Sequence, residues 1–187
     1  ELKTLSLEEF PSLPECSYTL KTVPKSLESS LSPAFYLVSP IDDYQNNVIF
    51  INQNPRFSNN ELYNTIAHEG YPGHLYQNVY FHTHCNSNIR NLLSFKGYSE
   101  GWATYVEHLS YTMDNGLSPE MGELLAANSM ASLGLHACLD VYINYMGWNK
   151  DQVREYLMKY YEDPGELTDA MYNAMIENPS NYLSYYV

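Results

Sequence analysis

Two histidines and two glutamates in the middle of the chain have the types and spacing that hydrolytic chemistry requires. They lie in the run His68-Glu-Gly-Tyr-Pro-Gly-His74 and at Glu100, and Glu69 directly follows the first histidine. Two imidazoles and one carboxylate hold Zn²⁺ in many hydrolases and leave one position open for water. The pattern predicts a zinc site with His68, His74 and Glu100 as ligands and Glu69 as general base. Surface residues near a proline kink are the alternative interpretation.

The spacing of the two histidines requires an interruption of the helix that carries them. Histidines four residues apart lie nearly in line, but six residues at about 100° each leave His68 and His74 roughly 120° apart. Pro72 has no N–H to donate to the carbonyl of His68, and its ring crowds that turn. Gly73 can adopt φ values that are closed to other residues. We therefore expect the helix to break between Glu69 and His74.

The elements that position these residues predict a mainly α fold with a small β-sheet (α+β). Residues 1–57 begin with a Pro- and Ser-rich stretch and predict an extended strand-and-loop lead-in, with short strands at 34–38 and 48–52. Residues 58–187 predict a helical, metal-binding part, whose first helix opens with the capping box of Ser58 and Glu61. Further helices are expected at residues 99–115, 119–147, 149–163 and 166–177.

Four motifs resemble those of a known family. They are His68–His74, Tyr98-Ser-Glu-Gly-Trp-Ala-Thr-Tyr-Val-Glu107, Gly134-Leu-His136 and Leu183-Ser-Tyr-Tyr-Val187. Together they resemble the bacterial domain-of-unknown-function family number 885, which looks like a branch of the gluzincin metallopeptidases. The resemblance covers nearly all of this chain but only the C-terminal part of a typical member. It implies one zincin-like catalytic domain over residues 1–187, as a fragment of a longer chain, with the same ligands and base.

Three further residues are candidates for the site. Glu107 shares a helix face with Glu100 and could accept the second N–H of a ligating histidine, or it could be a solvated surface glutamate. His136 matches a family position and could contact the oxyanion or substrate, or it could be a satisfied core histidine. Tyr185 also matches the family, and its phenol could donate to a tetrahedral oxyanion. Because the chain has 19 tyrosines, ordinary packing is the alternative for Tyr185.

Three other features carry weaker expectations. The strand at 48–52 precedes the metal-binding helix and could be an edge strand that pairs with extended substrate, or a plain core strand. His82, His84 and Cys85 are interpreted as an exposed helix end, since no second pair of ligands follows at zinc-finger spacing. His136 and Cys138 point in nearly opposite directions on a helix, which argues against a nucleophile pair.

The composition argues against several classes of partner. The chain has 187 residues, 44% of them apolar, and 9 Lys+Arg against 22 Asp+Glu give a net charge of −13. Nucleic acid and anionic membranes would be repelled, and no run of about 18 apolar residues predicts a bilayer span. Three widely spaced cysteines do not form a disulfide framework. The acidity and low Lys content are compatible with an exported or cell-envelope location, which we favour over a cytoplasmic one.

These observations predict a zinc-dependent peptidase that acts on a peptide substrate. Two alternatives from other classes stay open. One is a catalytically degenerate binding or structural domain that keeps the fold. The other is a zinc hydrolase of non-peptide amides or esters.

Overall fold

The computed structural model describes residues 2–186 and only the backbone of Asn88, and the chain divides into two compact units, Glu1–Glu123 and Leu124–Val187. The first contains α1 (Leu2–Glu9), β1 (Ser17–Thr22), β2 (Ala34–Leu37), β3 (Asn46–Ile51), α2 (Asn59–Glu69), α3 (His74–His84), α4 (Asn88–Leu92) and α5 (Lys96–Ser110). α6 (Pro119–Asn144) begins in the first unit and continues in the second, followed by α7 (Lys150–Leu157), α8 (Gly165–Glu177) and a 3₁₀ helix (Tyr182–Tyr185). The expectation of a mainly helical chain with a small sheet is confirmed.

The three strands form one sheet in the order β1-β3-β2. β3 is the central strand, parallel to β1 and antiparallel to β2. The substrate-pairing interpretation of residues 48–52 is therefore wrong, because both sides of β3 already pair within the sheet. The plain core strand is the correct alternative, and Ile49 on β3 is buried in the core. β2 is the edge strand that packs against α2.

The core of the first unit combines an apolar cluster with a buried polar network. The cluster consists of Tyr36, Ile49, Tyr71, Leu75, Tyr76 and Val79. The hydroxyl of Tyr36 donates to Asn47 Oδ1 at 2.7 Å and accepts from Asn78 Nδ2 at 3.0 Å. Asn78 Nδ2 also lies 3.1 Å from Ser39 Oγ. Because these residues come from β2, β3, α3 and the segment after β2, the network ties the sheet edge to the helix that begins at His74.

The break between α2 and α3 occurs where the sequence predicts it. α2 begins with the capping box of Ser58 and Glu61 and ends at Glu69, and α3 begins at His74. The expected reason for Gly73 is wrong, since its φ is −76°, an ordinary value. A side chain there would instead collide with the backbone, because a Cβ atom would lie 1.7 Å from the carbonyl oxygen of His68. Glycine is needed because the two helix ends approach each other so closely.

Several boundaries differ from the expected ones. Residues 2–9 are helical rather than extended, because the first proline comes only at Pro11 and good helix formers precede it. α5 ends at Ser110 and not near residue 115, since the side chain of Asn115 donates to the carbonyls of Ser110 and Tyr111. α7 ends at Leu157, well before Pro164, and the short α4 is an additional helix.

The second unit has its own core and its own buried acid. The core consists of Leu139, Ile143, Val153, Leu157, Met171 and Met175. α7 begins with the reciprocal capping box of Asn149 and Gln152. Asp140 on α6 is 1% exposed, and its carboxylate accepts from the backbone N–H groups of Ser180 and Tyr182 at 2.9 and 3.2 Å. This buried carboxylate therefore anchors the segment that leads into the 3₁₀ helix.

α6 has the length and the apolar composition of a helix that could cross a membrane. Core helices of water-soluble proteins and signal sequences satisfy the same criteria, so this property alone identifies no membrane span. It is the one such helix in the part of the chain that the structure describes.

The buried network predicts that Asn47→Ala strongly destabilises the first unit. Asn47 accepts from the hydroxyl of Tyr36, and its amide donates to the carbonyls of Ser17 and Tyr44, so the variant loses these hydrogen bonds, the first of which is fully buried. We expect a loss of about 2–4 kcal/mol in the free energy of unfolding, measured by urea denaturation. Asn46→Ala is the matched control, because Asn46 lies next to it but is exposed. Equal losses in the two variants would contradict the prediction.

Candidate metal centre

His68, His74 and Glu100 converge on one point in the first unit. One potential ligand atom from each of these residues lies within 4.8 Å of the others. Glu100 Oε2 is 3.5 Å from Nε2 of His68 and 3.4 Å from Nε2 of His74, and the two rings are nearly perpendicular at 85°. No other group of three such side chains exists among residues 2–186 as described. The three side chains that the sequence analysis selects as ligands are therefore neighbours in space.

Glu100 Oε2 is a buried oxygen without a hydrogen-bond partner. Both of its nearest nitrogens lie at distances too long for a good hydrogen bond. A buried polar atom that lacks a partner is costly unless a ligand supplies one. This orphaned oxygen, facing two imidazole nitrogens, is the arrangement that a cation between the three side chains would satisfy. The residues present therefore fit a metal ion.

Glu107 holds His68 from the opposite side of the ring. The Nδ1–H of His68 donates to Glu107 Oε2 at 2.8 Å, which is the contact that the sequence suggests for Glu107; the support of a metal ligand stays a prediction. α5 thus provides both carboxylates, with Glu100 at Nε2 and Glu107 at Nδ1. The bond at Nδ1 fixes the plane of the ring and turns Nε2 toward Glu100 and His74.

The two carboxylates also determine the protonation of His68 in the metal-free protein. Burial alone would lower the pKa of His68, but the nearby carboxylates of Glu100 and Glu107 outweigh it and raise the pKa to about 9. Burial would raise the pKa of Glu100, but the nearby imidazoles of His68 and His74 outweigh it and lower the pKa to about 2. Metal-free His68 is therefore an imidazolium at neutral pH.

Glu69 lies near the three candidate ligands but is not one of them. Its Oε2 accepts from the backbone N–H of Tyr36 on the edge strand β2 at 2.8 Å. Burial raises the pKa of Glu69, against the opposing effects of that N–H and of the nearby imidazoles. A carboxylate with a raised pKa, oriented by one fixed donor, is suited to accept and return a proton.

The remaining predicted site residues, His136 and Tyr185, belong to the second unit. His136 lies on α6 in the second unit, where its Nδ1–H donates to the carbonyl of Ser132 at 2.8 Å and its ring packs beside Tyr182. Tyr185 is the last residue of the 3₁₀ helix. Their roles toward the centre remain predictions. His82 and His84 are in the last turn of α3, as expected of a helix end.

Two features of the centre escape the sequence analysis. The N–H of Tyr36 reaches Glu69 from a strand 33 residues earlier, and no local pattern signals that contact. Asn64 is 4% exposed and accepts from Ser110 Oγ at 2.9 Å. The position of Asn64 four residues before His68, on the same helix face, is the signal that could have identified it.

Comparison with known proteins identifies the family. The profile of the family described as bacterial protein of unknown function (DUF885) matches residues 1–187. The chain belongs to this family. No curated protein matches the chain significantly.

Solved structures share this fold. The crystal structure of the putative lipoprotein from Colwellia psychrerythraea aligns with a TM-score of 0.72 and 18% identity, over 98% of this chain and 33% of that one. At this identity the likeness establishes the fold alone. The DUF885 chain described here spans about a third of the length of that protein.

The raised pKa of His68 predicts that the metal-free protein loses stability as the pH rises from about 6.5 to about 9. The folded state holds the proton more tightly than the unfolded chain, so its stabilisation is complete below about 6.5 and is lost as the pH rises through about 9. The upper limit of the loss is roughly 3 kcal/mol, measured by urea denaturation in the presence of a chelator. Glu107→Gln should flatten this dependence, because it removes one of the two carboxylates. An identical slope in the variant would contradict the assignment.

Proposed function

We propose that this chain is the catalytic part of a zinc-dependent peptidase of the gluzincin type. The observation that carries the proposal is the buried, unpartnered Glu100 Oε2 between the Nε2 atoms of His68 and His74. The carboxylate of Glu69, which is not a ligand, lies beside these three groups. This is the complement of side chains that a hydrolytic zinc site requires.

The chemistry of the three ligands favours zinc over the common hard cations. Two imidazole nitrogens suit a borderline-soft ion, whereas Mg²⁺ and Ca²⁺ prefer oxygen ligands. His68, His74 and Glu100 would hold the ion. When bound, zinc supplies Lewis acidity that polarises a carbonyl and lowers the pKa of water toward about 7.

The other residues of the centre have separate tasks in this proposal. Glu69 accepts a proton from the attacking water and returns it to the leaving amine. The N–H of Tyr36 holds Oε2 of Glu69, so the other carboxylate oxygen is free for the proton. Glu107 keeps the hydrogen on Nδ1 of His68 and thereby leaves the Nε2 lone pair for the metal.

The edge strand β2 supports a peptide as substrate. The N–H of Tyr36 points away from β3, which places the free edge of β2 beside Glu69. An extended peptide that pairs with this edge would present its backbone next to the candidate base. In this proposal β2, and not the strand at 48–52, is the edge strand that pairs with extended substrate.

The similar fold of the Colwellia protein bears on location. That protein is described as a putative lipoprotein, and lipoproteins are exported to the cell envelope. We extend this location to the DUF885 chain, in agreement with its acidic composition.

The proposal predicts different losses for two glutamate variants. Glu69→Gln should retain zinc and lose roughly 10²–10⁴ in peptidase rate, the usual contribution of a general base. Glu100→Gln should weaken zinc binding itself, because a neutral amide replaces an anionic ligand. The measurements are metal content by mass spectrometry and cleavage of a mixed peptide library, with and without chelator.

Glu123→Gln is the matched control, since Glu123 is an exposed glutamate of the same unit. It should leave zinc content and rate unchanged. Loss of zinc in Glu69→Gln together with full activity in Glu100→Gln would reverse the assignment. Zinc without peptide cleavage would favour the degenerate binding domain, and chelator-sensitive cleavage of esters alone would favour the non-peptide hydrolase.

A further inference from the structure

α2 and α5 contact each other through polar groups at two levels along their length. The first level is His68, which meets Glu100 and Glu107 of α5. The second is Asn64, which meets Ser110. Asn64 precedes His68 by about one turn of α2, whereas Ser110 follows Glu107 by nearly one turn of α5. The two helices therefore run antiparallel, and both levels lie on the same contact face between them.

The first level requires an accurate register between the helices. Glu100 and Glu107 are about 10 Å apart along the axis of α5, yet they contact the two nitrogens of one ring. A slide of α2 by a single residue, about 1.5 Å along the helix axis, would displace His68 from this position and require both glutamate side chains to adjust. The long, flexible glutamate side chains cannot fix this register by themselves.

The second level consists of two short, fully enclosed side chains. Ser110 is 0% exposed, and its Oγ lies 2.9 Å from Asn64 Oδ1 and 2.6 Å from the carbonyl oxygen of Glu107. A hydroxyl has one proton, so it donates to one of these oxygens at a time. Short side chains have few rotamers, and a buried hydrogen bond between them tolerates little displacement. Ser110 also contacts the backbone of the very residue whose carboxylate holds His68.

We infer that Asn64 and Ser110 are positioning residues of the candidate centre: their buried contact sets the register of α2 on α5 and so places Glu107 and Glu100 at the two nitrogens of His68. The inference rests on the proposed function for its consequence in metal binding. The register itself is a property of the metal-free protein and can be tested without zinc.

The experiment measures zinc affinity of the full chain by chelator competition for Ser110→Ala, Asn64→Ala and the double variant. Each single variant should bind zinc about 10-fold more weakly, the lower end of the cost of losing a direct partner of a ligand, because Asn64 and Ser110 act through Glu107. The double variant should bind within about threefold of the weaker single variant, because both substitutions remove the same contact. Ser6→Ala is the matched control: Ser6 is 1% exposed and its hydroxyl bonds only within its own helix.

A second measurement follows His68 directly in the metal-free protein. Its Nδ1 proton, buried and bonded to Glu107, should give a downfield NMR resonance in the wild type and in Ser6→Ala. The resonance should be lost or broadened in Ser110→Ala and Asn64→Ala, while circular dichroism reports a folded chain. Ser6→Ala also removes a buried serine hydroxyl, but one far in sequence from α2 and α5. If the loss of any buried hydroxyl were enough to broaden the resonance, Ser6→Ala would broaden it too.

The outcomes separate the two proposals. Zinc affinities within threefold of the wild type, or an unchanged His68 resonance in both folded variants, would overturn the positioning role. A wild-type chain that binds no zinc, but whose His68 resonance depends on Ser110, would overturn the proposed function and support the register.

Discussion

His68 lies between two carboxylates of a single helix, and the geometry of the first unit follows from that contact. Glu100 and Glu107 are about two turns apart on α5, so their meeting at one imidazole depends on how α2 lies against α5. Burying charged groups is costly unless each one is paired and hydrogen-bonded. The Nδ1 side satisfies this condition, whereas Glu100 Oε2 on the other side does not. The unpaired oxygen therefore lies at the point where the three candidate ligands converge.

The same helix also controls the second histidine. With His68 at Glu100 from α2, His74 reaches the same carboxylate from a separate helix that starts after the break. Trp102 lies two residues after Glu100 on α5. Its indole N–H donates to the carbonyl of Pro72 at 2.8 Å. The absence of a side chain at Gly73 allows the new helix to begin against the carbonyl of His68. α5 therefore contacts both sides of the break and also carries the candidate ligand Glu100.

Local chemistry explains which parts of this arrangement could be predicted from sequence. The capping box of Ser58, the break at Pro72 and the shared face of Glu100 and Glu107 each depend on residues within about two turns of one another, and the structure contains all of them. The strand order could not be predicted, because pairing depends on which strands meet across long loops. The contact from Tyr36 to Glu69 depends on that strand order, so it could not be predicted from the sequence either. The role of Gly73 is set by a tertiary approach and not by its own φ.

The metal-free centre places a proton where the proposed function requires an ion. One proton on His68 balances one of the two carboxylates of α5, which leaves a net negative charge around Glu100 Oε2. A divalent cation could take this place only as that proton leaves, so the carboxylates that raise the pKa of His68 also supply the attraction for the cation. Glu69 is kept out of this exchange by the N–H of Tyr36, which holds it beside the ligands. The edge strand β2 thus keeps Glu69, the carboxylate that could transfer protons, apart from Glu100, the carboxylate that could bind the metal.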